Sequence, residues 1–277
     1  MISPQEPRSL MPKLLRKSPV RFAKRLLINH HDKIRWCIPD RYFVCSVPGG
    51  KIYLNIKESS MMLERCFWLY EPEKTKAVQN FLRPGDSFVD VGGNKGDFAL
   101  LAAKIVGPRG KVICVEPEPK NFGWITRSVQ LNGYENIQLC NVALSDHDGE
   151  AALHLGAKSG FHTLLSGAPE RDHGFVKVKT RTLDGLLRDS KIQSVNILKI
   201  DVEGAELQVL RGAAETIRAN PHLVVLLDLH PSLGVNVAEV FDFLASLGLS
   251  VFQMRSPYNL PALPTREIYD VVAKKSA

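Results

Sequence analysis

From residue 87 onward the chain alternates short apolar runs with stretches in which apolar residues return at helical spacing. The runs over 88–91, 112–116, 137–142, 195–200, 223–229, 249–254 and 268–273 read as strands, and the stretches over 98–106, 121–132, 205–219 and 237–247 as helices. Strands that are apolar along most of their length and alternate with helices are the pattern of an α/β protein with a mostly parallel sheet covered on both faces. Weak alternation over 151–155 and again over 175–179 breaks the rhythm. It predicts a hairpin inserted before the fourth strand, where a substrate-shaping element leaves the sheet undisturbed. Upstream, 42–47 and 51–56 flank Pro48-Gly49-Gly50 and predict a further hairpin at the edge of the main domain. Residues 61–81 are helical in pattern but interrupted by Glu71-Pro72, which predicts two short helices. The organisation expected is a lead-in over 1–80, a basic helical segment followed by a hairpin and helices, and a main domain over 81–277.

With 277 residues and 44% hydrophobic content the chain can bury a sizeable core, which excludes a linker or a disordered tail. The formal charge of +7 is a property of the start of the chain, because residues 36–277 balance their acids and bases. That neutral body argues against nucleic acid as a partner. Over 11–34, Leu14, Leu15, Val20, Phe22, Ala23, Leu26 and Leu27 are interleaved with Lys13, Arg16, Lys17, Arg21, Lys24, Arg25 and Lys33. A basic amphipathic helix of this kind packs on its own domain by one face, rests on an anionic membrane or meets an acidic substrate. Cys37, Cys45, Cys66, Cys114 and Cys140 are odd in number and scattered, which reads as reduced thiols in a cytoplasmic protein. No apolar run approaches the roughly 18 residues a membrane span needs, and Leu26-Leu27-Ile28 is too short for a signal-peptide core.

The sharpest local signal is Asp90-Val91-Gly92-Gly93-Asn94-Lys95-Gly96, between the first strand and the helical run from Phe98. Its glycines permit a tight turn and close backbone approach to a ligand, and the helix start offers unpaired N–H groups. The Gly-Gly-x-x-Gly spacing is not the dinucleotide fingerprint, and no Gly-Lys-Ser/Thr closes a phosphate loop. Glu116 ends the second strand, which Pro117 stops, and is placed to accept hydrogen bonds from both hydroxyls of an adenosine ribose. The competing reading is an exposed acid in an ordinary strand-to-helix turn. After the third strand, Val142 and Ala143 fall where a flat adenine slots against the backbone, and Asp146 either bonds that base or caps the turn before Gly149. A carboxylate at Asp90 opposes a pyrophosphate but attracts the ammonium of a methionine-derived group, which favours S-adenosylmethionine over a dinucleotide. Phe98 reads as core.

A second cluster, Leu198-Lys199-Ile200-Asp201-Val202-Glu203-Gly204-Ala205-Glu206, starts on a buried strand and ends in a helix. It gathers Asp201, Glu203 and Glu206 at the strand ends where open α/β sheets bind ligands. Like charges in one cleft raise at least one pKa or recruit a cation. Asp228 and His230 alternate on the next strand and so share a face. His230 is a general-base candidate for a substrate hydroxyl. Asp228 or Asp201 is the candidate to orient it, or to hold a divalent ion such as Mg or Ca. The competing reading has His230 capping the turn before Pro231 and the acids capping the helix that follows. Lys199 either pairs with one of these acids or exposes its stem at a sheet edge. No Gly-x-Ser-x-Gly or His-Glu-x-x-His supports hydrolase chemistry.

Taken in order, Asp90 to Gly96, Val115-Glu116-Pro117, Ala143-Leu144-Ser145-Asp146, Thr182-Leu183-Asp184 and Leu198 to Glu206 resemble the FkbM-type family of S-adenosylmethionine-dependent methyltransferases, over about residues 85–275. The resemblance implies a class I methyltransferase (Rossmann-like) fold, a seven-stranded, mostly parallel sheet whose last strand is antiparallel, here with a small hairpin insertion and an N-terminal extension. It implies that Asp90, Gly92 and Gly96 surround the methionine part of the cofactor, that Glu116 holds the ribose and that Asp146 lies near adenine. The expected cofactor-binding set adds Gly93, Asn94, Pro117, Val142 and Ala143; the expected catalytic set is His230, Asp201 and Glu203, with Asp201 and Asp228 the metal candidates. Family members typically methylate a hydroxyl oxygen, often on a sugar or a polyketide-like natural product, so the expected partner is a small-molecule hydroxyl acceptor. An N-methyltransferase of a small molecule and a non-catalytic nucleotide-binding scaffold stay open as alternatives. A nicotinamide-dependent sugar enzyme is disfavoured by the glycine spacing and Asp90. Where the family commonly has Glu-x-His, this chain has Asp228-Leu229-His230, and the shorter acid reaches less far. Gly93 stands where relatives often carry Ala, a change expected to be harmless in a turn. Residues 1–80 lie outside the strongest resemblance and are where substrate choice or association into a homo-oligomer would be set.

Overall fold

A computed structural model describes residues 19–157, 160–165, 173–262 and 270–275. The lead-in consists of α1 (Pro19–Asn29), α2 (His31–Ile34), a hairpin of β1 (Phe43–Val47) and β2 (Gly50–Leu54), α3 (Ser60–Cys66) and α4 (Pro72–Phe81). The expected break between the last two helices is present: Glu71 takes the left-handed conformation at φ 39°, and Pro72 opens α4 in its first turn, where a missing N–H costs nothing. The basic residues before Pro19 lie outside the described residues.

The main domain follows as β3 (Ser87–Val91), α5 (Asp97–Val106), β4 (Lys111–Val115), α6 (Pro119–Asn132), β5 (Ile137–Cys140), β6 (Ala143–Leu144), β7 (Gly149–His154), β8 (Phe175–Arg181), α7 (Leu183–Asp189), β9 (Ile197–Ile200), α8 (Glu206–Arg211), α9 (Ala214–Ala219), β10 (Val224–Asp228), α10 (Val237–Ser246), β11 (Ser250–Gln253) and β12 (Asp270–Lys274). Seven of these strands form one sheet in the order β11-β12-β10-β9-β3-β4-β5, with β12 antiparallel to both neighbours. This is the Rossmann-like, mostly parallel architecture expected, with its antiparallel last strand. The strand order reverses between β3 and β9, and the loops leaving these two strands open the crevice where such sheets bind ligands.

Alternation along the strands divides the core. Val89, Val91, Ile113, Val115, Leu198 and Ile200 face one buried layer with residues of α7 to α10, while Phe88, Val112, Cys114, Ile197 and Leu226 face the other with α4, α5 and α6. At roughly 25 cal/mol per Å² of apolar surface removed from water, these two layers supply most of the drive to fold.

The first hairpin is a separate two-stranded sheet packed on α6: Tyr42 stacks on Trp124 with centroids 3.6 Å apart, and the Lys51 and Tyr53 amides donate to Asn132 and Ser128. Two expectations need correction. The helix expected over 205–219 is two helices: between them the Ala213 amide turns to the Leu210 carbonyl, and Gly212 packs where a side chain would lie 2.0 Å from the Ser145 carbonyl. The third strand stops at Cys140, and Ala143-Leu144 joins the inserted hairpin of β7 and β8 in a separate three-stranded sheet. Among the described residues no helix is long and apolar enough to cross a membrane. All five cysteines are free, and the Cys45 and Cys66 sulfurs, on β1 and α3, face each other at 2.7 Å, a proximity their spacing did not reveal.

Candidate functional site

The glycine loop after β3 is shaped by what it must pass. Gly92 has φ 79°, and a Cβ there would lie 1.9 Å from the Asp201 carbonyl oxygen, so a glycine lets the loops of β3 and β9 touch. Gly93 is more than a harmless variant, since a Cβ would meet the Cys114 sulfur at 2.4 Å. Asn94 also takes the left-handed conformation, at φ 49°, and donates its amide to Glu116 Oε2 at 2.7 Å. Glu116 Oε1 accepts the Glu118 amide at 2.9 Å. Burial pushes the Glu116 carboxyl up to about 7, in spite of these two bonds. Beside it, Asn94 Oδ1 is buried without a hydrogen-bond partner among the described residues.

These groups form one end of a cavity. Its walls are Val91, Gly92, Asn94, Val115, Glu116 and Pro117, then Val142, Ala143 and Leu144, and at the other end Asp201, Val202, Glu203, Asp228 and His230. The insertion contributes Gly160, Phe161, His162 and Leu164, which makes it a wall of this cavity, and the lead-in contributes Met61, Tyr70 and Glu71. Most of the residues selected from sequence therefore converge. Asp90, Gly93, Gly96 and Asp146 do not line the cavity. Gly96 caps α5 at φ 90°, and Asp146 faces outward to Ser145 and His147, the His147 hydrogen bond holding its carboxyl below the ordinary value.

Asp90 needs a different account from the one its position suggested. It is the register partner of Lys199 on the neighbouring strand, both side chains are buried, and they pair at 3.0 Å. The Lys199 ammonium also lies 3.7 Å from Asp201 and donates to the Gly92 carbonyl at 3.2 Å. Burial opposes its charge, but the Asp90 and Asp201 carboxylates prevail and raise its pKa. Lys199 is thus the partner of these acids and has no exposed stem, and Asp90 braces the loop from below. Phe98 is core, as expected, 5% exposed.

At the other end, Glu203 sits in the left-handed region at φ 54°, a conformation uncommon outside glycine and found at functional sites. The Thr163 hydroxyl holds its carbonyl at 2.6 Å. His230 Nδ1 lies 2.6 Å from Glu206 Oε1, and Nε2 lies 3.6 Å from Glu203 and 4.0 Å from Asp201. Glu206 is fully buried and also accepts the Gly204 amide at 3.0 Å. Burial disfavours a charged His230, but the Glu206 hydrogen bond and the Glu203, Glu206 and Asp201 charges outweigh it and raise its pKa to about 9. The group that orients His230 is therefore Glu206, and neither Asp228 nor Asp201 fills that role. Asp228 is held instead by Lys74 of α4, whose ammonium also meets Glu71 and Asp270. Desolvation, with the nearby acids Asp270 and Glu71, raises the Asp228 carboxyl while Lys74 opposes the rise.

These contacts bear on the metal candidates. A divalent ion between Asp201 and Asp228 would meet the Lys74 ammonium, so that pair does not fit one as it stands. Asp201, Glu203 and His230 offer donor atoms within 4.8 Å of one another, and with Nδ1 held by Glu206 it is Nε2 of the ring that faces the two acids. Sequence reasoning passed over Tyr70, Glu71 and Lys74, and it left Glu206 open between the acid cluster and a helix cap. The one signal for Glu206 was its membership of the acid cluster.

A profile of the methyltransferase FkbM domain matches residues 90–251. Over 260 residues the chain is 26% identical to Methyltransferase 1 of Beauveria bassiana, covering 86% of this chain and 97% of that protein. It is 25% identical over 272 residues to the 31-O-demethyl-FK506 methyltransferase FkbM of Streptomyces tacrolimicus, covering 87% and 96%. With the hexuronic acid methyltransferase AglP of Haloferax volcanii it shares 27% identity over 167 residues, covering 60% and 64%.

Proposed function

This chain belongs to the FkbM family of S-adenosylmethionine-dependent methyltransferases, and on that premise we propose that it methylates a hydroxyl oxygen of a sugar or small natural product. The observation that carries the reading is His230, whose Nδ1 is held by buried Glu206 while Nε2 faces Asp201 and Glu203 on the cavity wall. When bound, the cofactor supplies a methyl group on a positively charged sulfur, so the protein's tasks are alignment and removal of one proton. Glu116 is assigned to the ribose hydroxyls, the Gly92 to Asn94 backbone and the Asn94 side chain to the methionine end, and Val142 and Ala143 to the adenine. The orphaned Asn94 Oδ1 and the buried Glu116 carboxylate support that fit.

His230 Nε2 takes the proton of the acceptor hydroxyl, and Glu206 stabilises the imidazolium that forms. Asp201 and Glu203 accept hydrogen bonds from acceptor hydroxyls beside Nε2. Residues 1–80 act as a lead-in whose Tyr70, Glu71 and Lys74 complete the acceptor end of the domain over 81–277. Oxygen as the target is supported by the name of the Streptomyces relative, and a sugar by that of the Haloferax relative. The test is incubation with methyl-labelled S-adenosylmethionine and separate panels of glycosides, hydroxylated natural products and amines, with the methyl located by NMR. An O-methyl product is expected. Transfer only to amines would overturn the reading, as would no saturable binding of S-adenosylhomocysteine by calorimetry.

A further inference from the structure

Lys74 reaches from α4 to the acceptor end of the cavity on a side chain only 2% exposed. Its ammonium contacts Asp228 Oδ2, lies 2.7 Å from Glu71 Oε2 and 3.6 Å from Asp270 Oδ1, and sits 5.6 Å from the centre of the Phe98 ring. Glu71, Asp201 and Asp228 all line the cavity, and each brings a carboxylate oxygen within 4.8 Å of the others. Carboxylates this close stay ionised together only beside a cation. Here the cation belongs to the chain. With Oδ2 held, Asp228 keeps Oδ1 buried and without a hydrogen-bond partner among the described residues, an acceptor atom not yet engaged.

We infer that Lys74 fills the place of a divalent cation: it draws the Glu71 and Asp228 carboxylates together and fixes them toward the acceptor's hydroxyls, and is a positioning residue for methyl transfer. The positioning role rests on reading this end of the cavity as the acceptor side. The cation role does not. Lys74 lies 154 residues from Asp228 in sequence, so the lead-in is tied chemically to the strand that also carries His230.

The test compares the wild-type chain with Lys74→Met, Lys74→Arg and Lys74→Met combined with Asp228→Asn, titrating each with Mn²⁺ by electron paramagnetic resonance. Lys74→Met should gain one Mn²⁺ site at least about tenfold tighter than any in the wild type, and the added Asp228→Asn should remove it. In steady state Lys74→Met should raise the acceptor KM about tenfold with the cofactor KM little changed, Mg²⁺ should recover part of the loss, and Lys74→Arg should stay near wild type. No gained site, or a gained site that the added Asp228→Asn leaves in place, overturns the cation role. A gained site with an unmoved acceptor KM overturns the positioning role and points to the acceptor assignment as the error. If Lys74→Met does not fold in metal-free buffer, refolding on Mn²⁺ addition supports the cation role, and failure to refold at millimolar Mn²⁺ overturns it.

Discussion

Replacing Glu206 by Gln tests the assignment of His230 most directly. The carboxylate accepts from Nδ1 at 2.6 Å and is fully buried, so its hydrogen bond to an imidazolium is charge-assisted and weakly screened. Raising the pKa from 6.5 to about 9 corresponds to a preference for the charged ring on the order of 3 kcal/mol, reached against the cost of burial. A charged hydrogen bond contributes about 1.5–3 kcal/mol and a neutral one about 0.5–1.5, so the substitution should lower the pKa by about one unit. Glu203 and Asp201 remain and keep it above the ordinary histidine value. The sign follows from the raised value: the stability His230 contributes is complete below about pH 6.5 and is lost as pH rises through about 9. As the base must be neutral, kcat/KM for the cofactor should climb with pH until about 9 in the wild type. In the variant that ascending limb should move about one unit toward acid, with a lower plateau because the ring is no longer held in one tautomer. Titration of His230 by heteronuclear NMR reads the same shift without turnover. An unmoved limb together with an unmoved NMR titration would refute the role given to Glu206.

Glu116→Ala should weaken S-adenosylhomocysteine binding about ten- to a hundredfold by calorimetry, the loss of one or two hydrogen bonds to a buried carboxylate; unchanged affinity would remove Glu116 from the ribose site. Asp201→Asn should leave the melting temperature close to wild type, because its side chain is 22% exposed, yet lower turnover at least about tenfold. Equal steady-state rates would remove Asp201 from the reaction. Gly92→Ala drives a methyl group to within 1.9 Å of the Asp201 carbonyl at φ 79°, and should cost about 2 kcal/mol or more, read as a fall in melting temperature of several degrees. A melting temperature matching wild type would show that the two loops part easily.

The sheet was legible because its strands are short, apolar and separated by helices, and each expected strand has a counterpart within a few residues. The inserted sheet was only half legible, since two-residue β6 has no periodicity of its own. At the site, residues borne on strand ends were found, and those supplied by distant elements were not. Glu206 stands at the start of a helix in a cluster of acids, and nothing local separates a cap from a hydrogen-bond partner of His230, which comes from the next strand. Lys74 lies in a helix whose other lysine, Lys76, is an exposed partner of Glu73, and spacing alone cannot tell the two apart. Asp90 and Lys199 were each conspicuous in an apolar strand, but their pairing depends on β3 lying beside β9, an adjacency that only the strand order supplies.

That strand order relocates the charge argument without reversing it. Asp90 is neutralised by Lys199, Asp228 by Lys74 and Glu206 by protonated His230, so none of the three leaves a net charge for a ligand. Asp201, Glu203 and Glu71, all on the cavity wall, share these same three cations, so carboxylates outnumber cations there. A pyrophosphate brought against them would add like charge in a partly desolvated space, whereas a sulfonium or an ammonium would relieve it. The preference for a cationic methyl donor over a dinucleotide, inferred from Asp90, therefore belongs to these three residues. Neutralising Asp90 together with Lys199 should leave that preference in place, because the pair's charges already cancel.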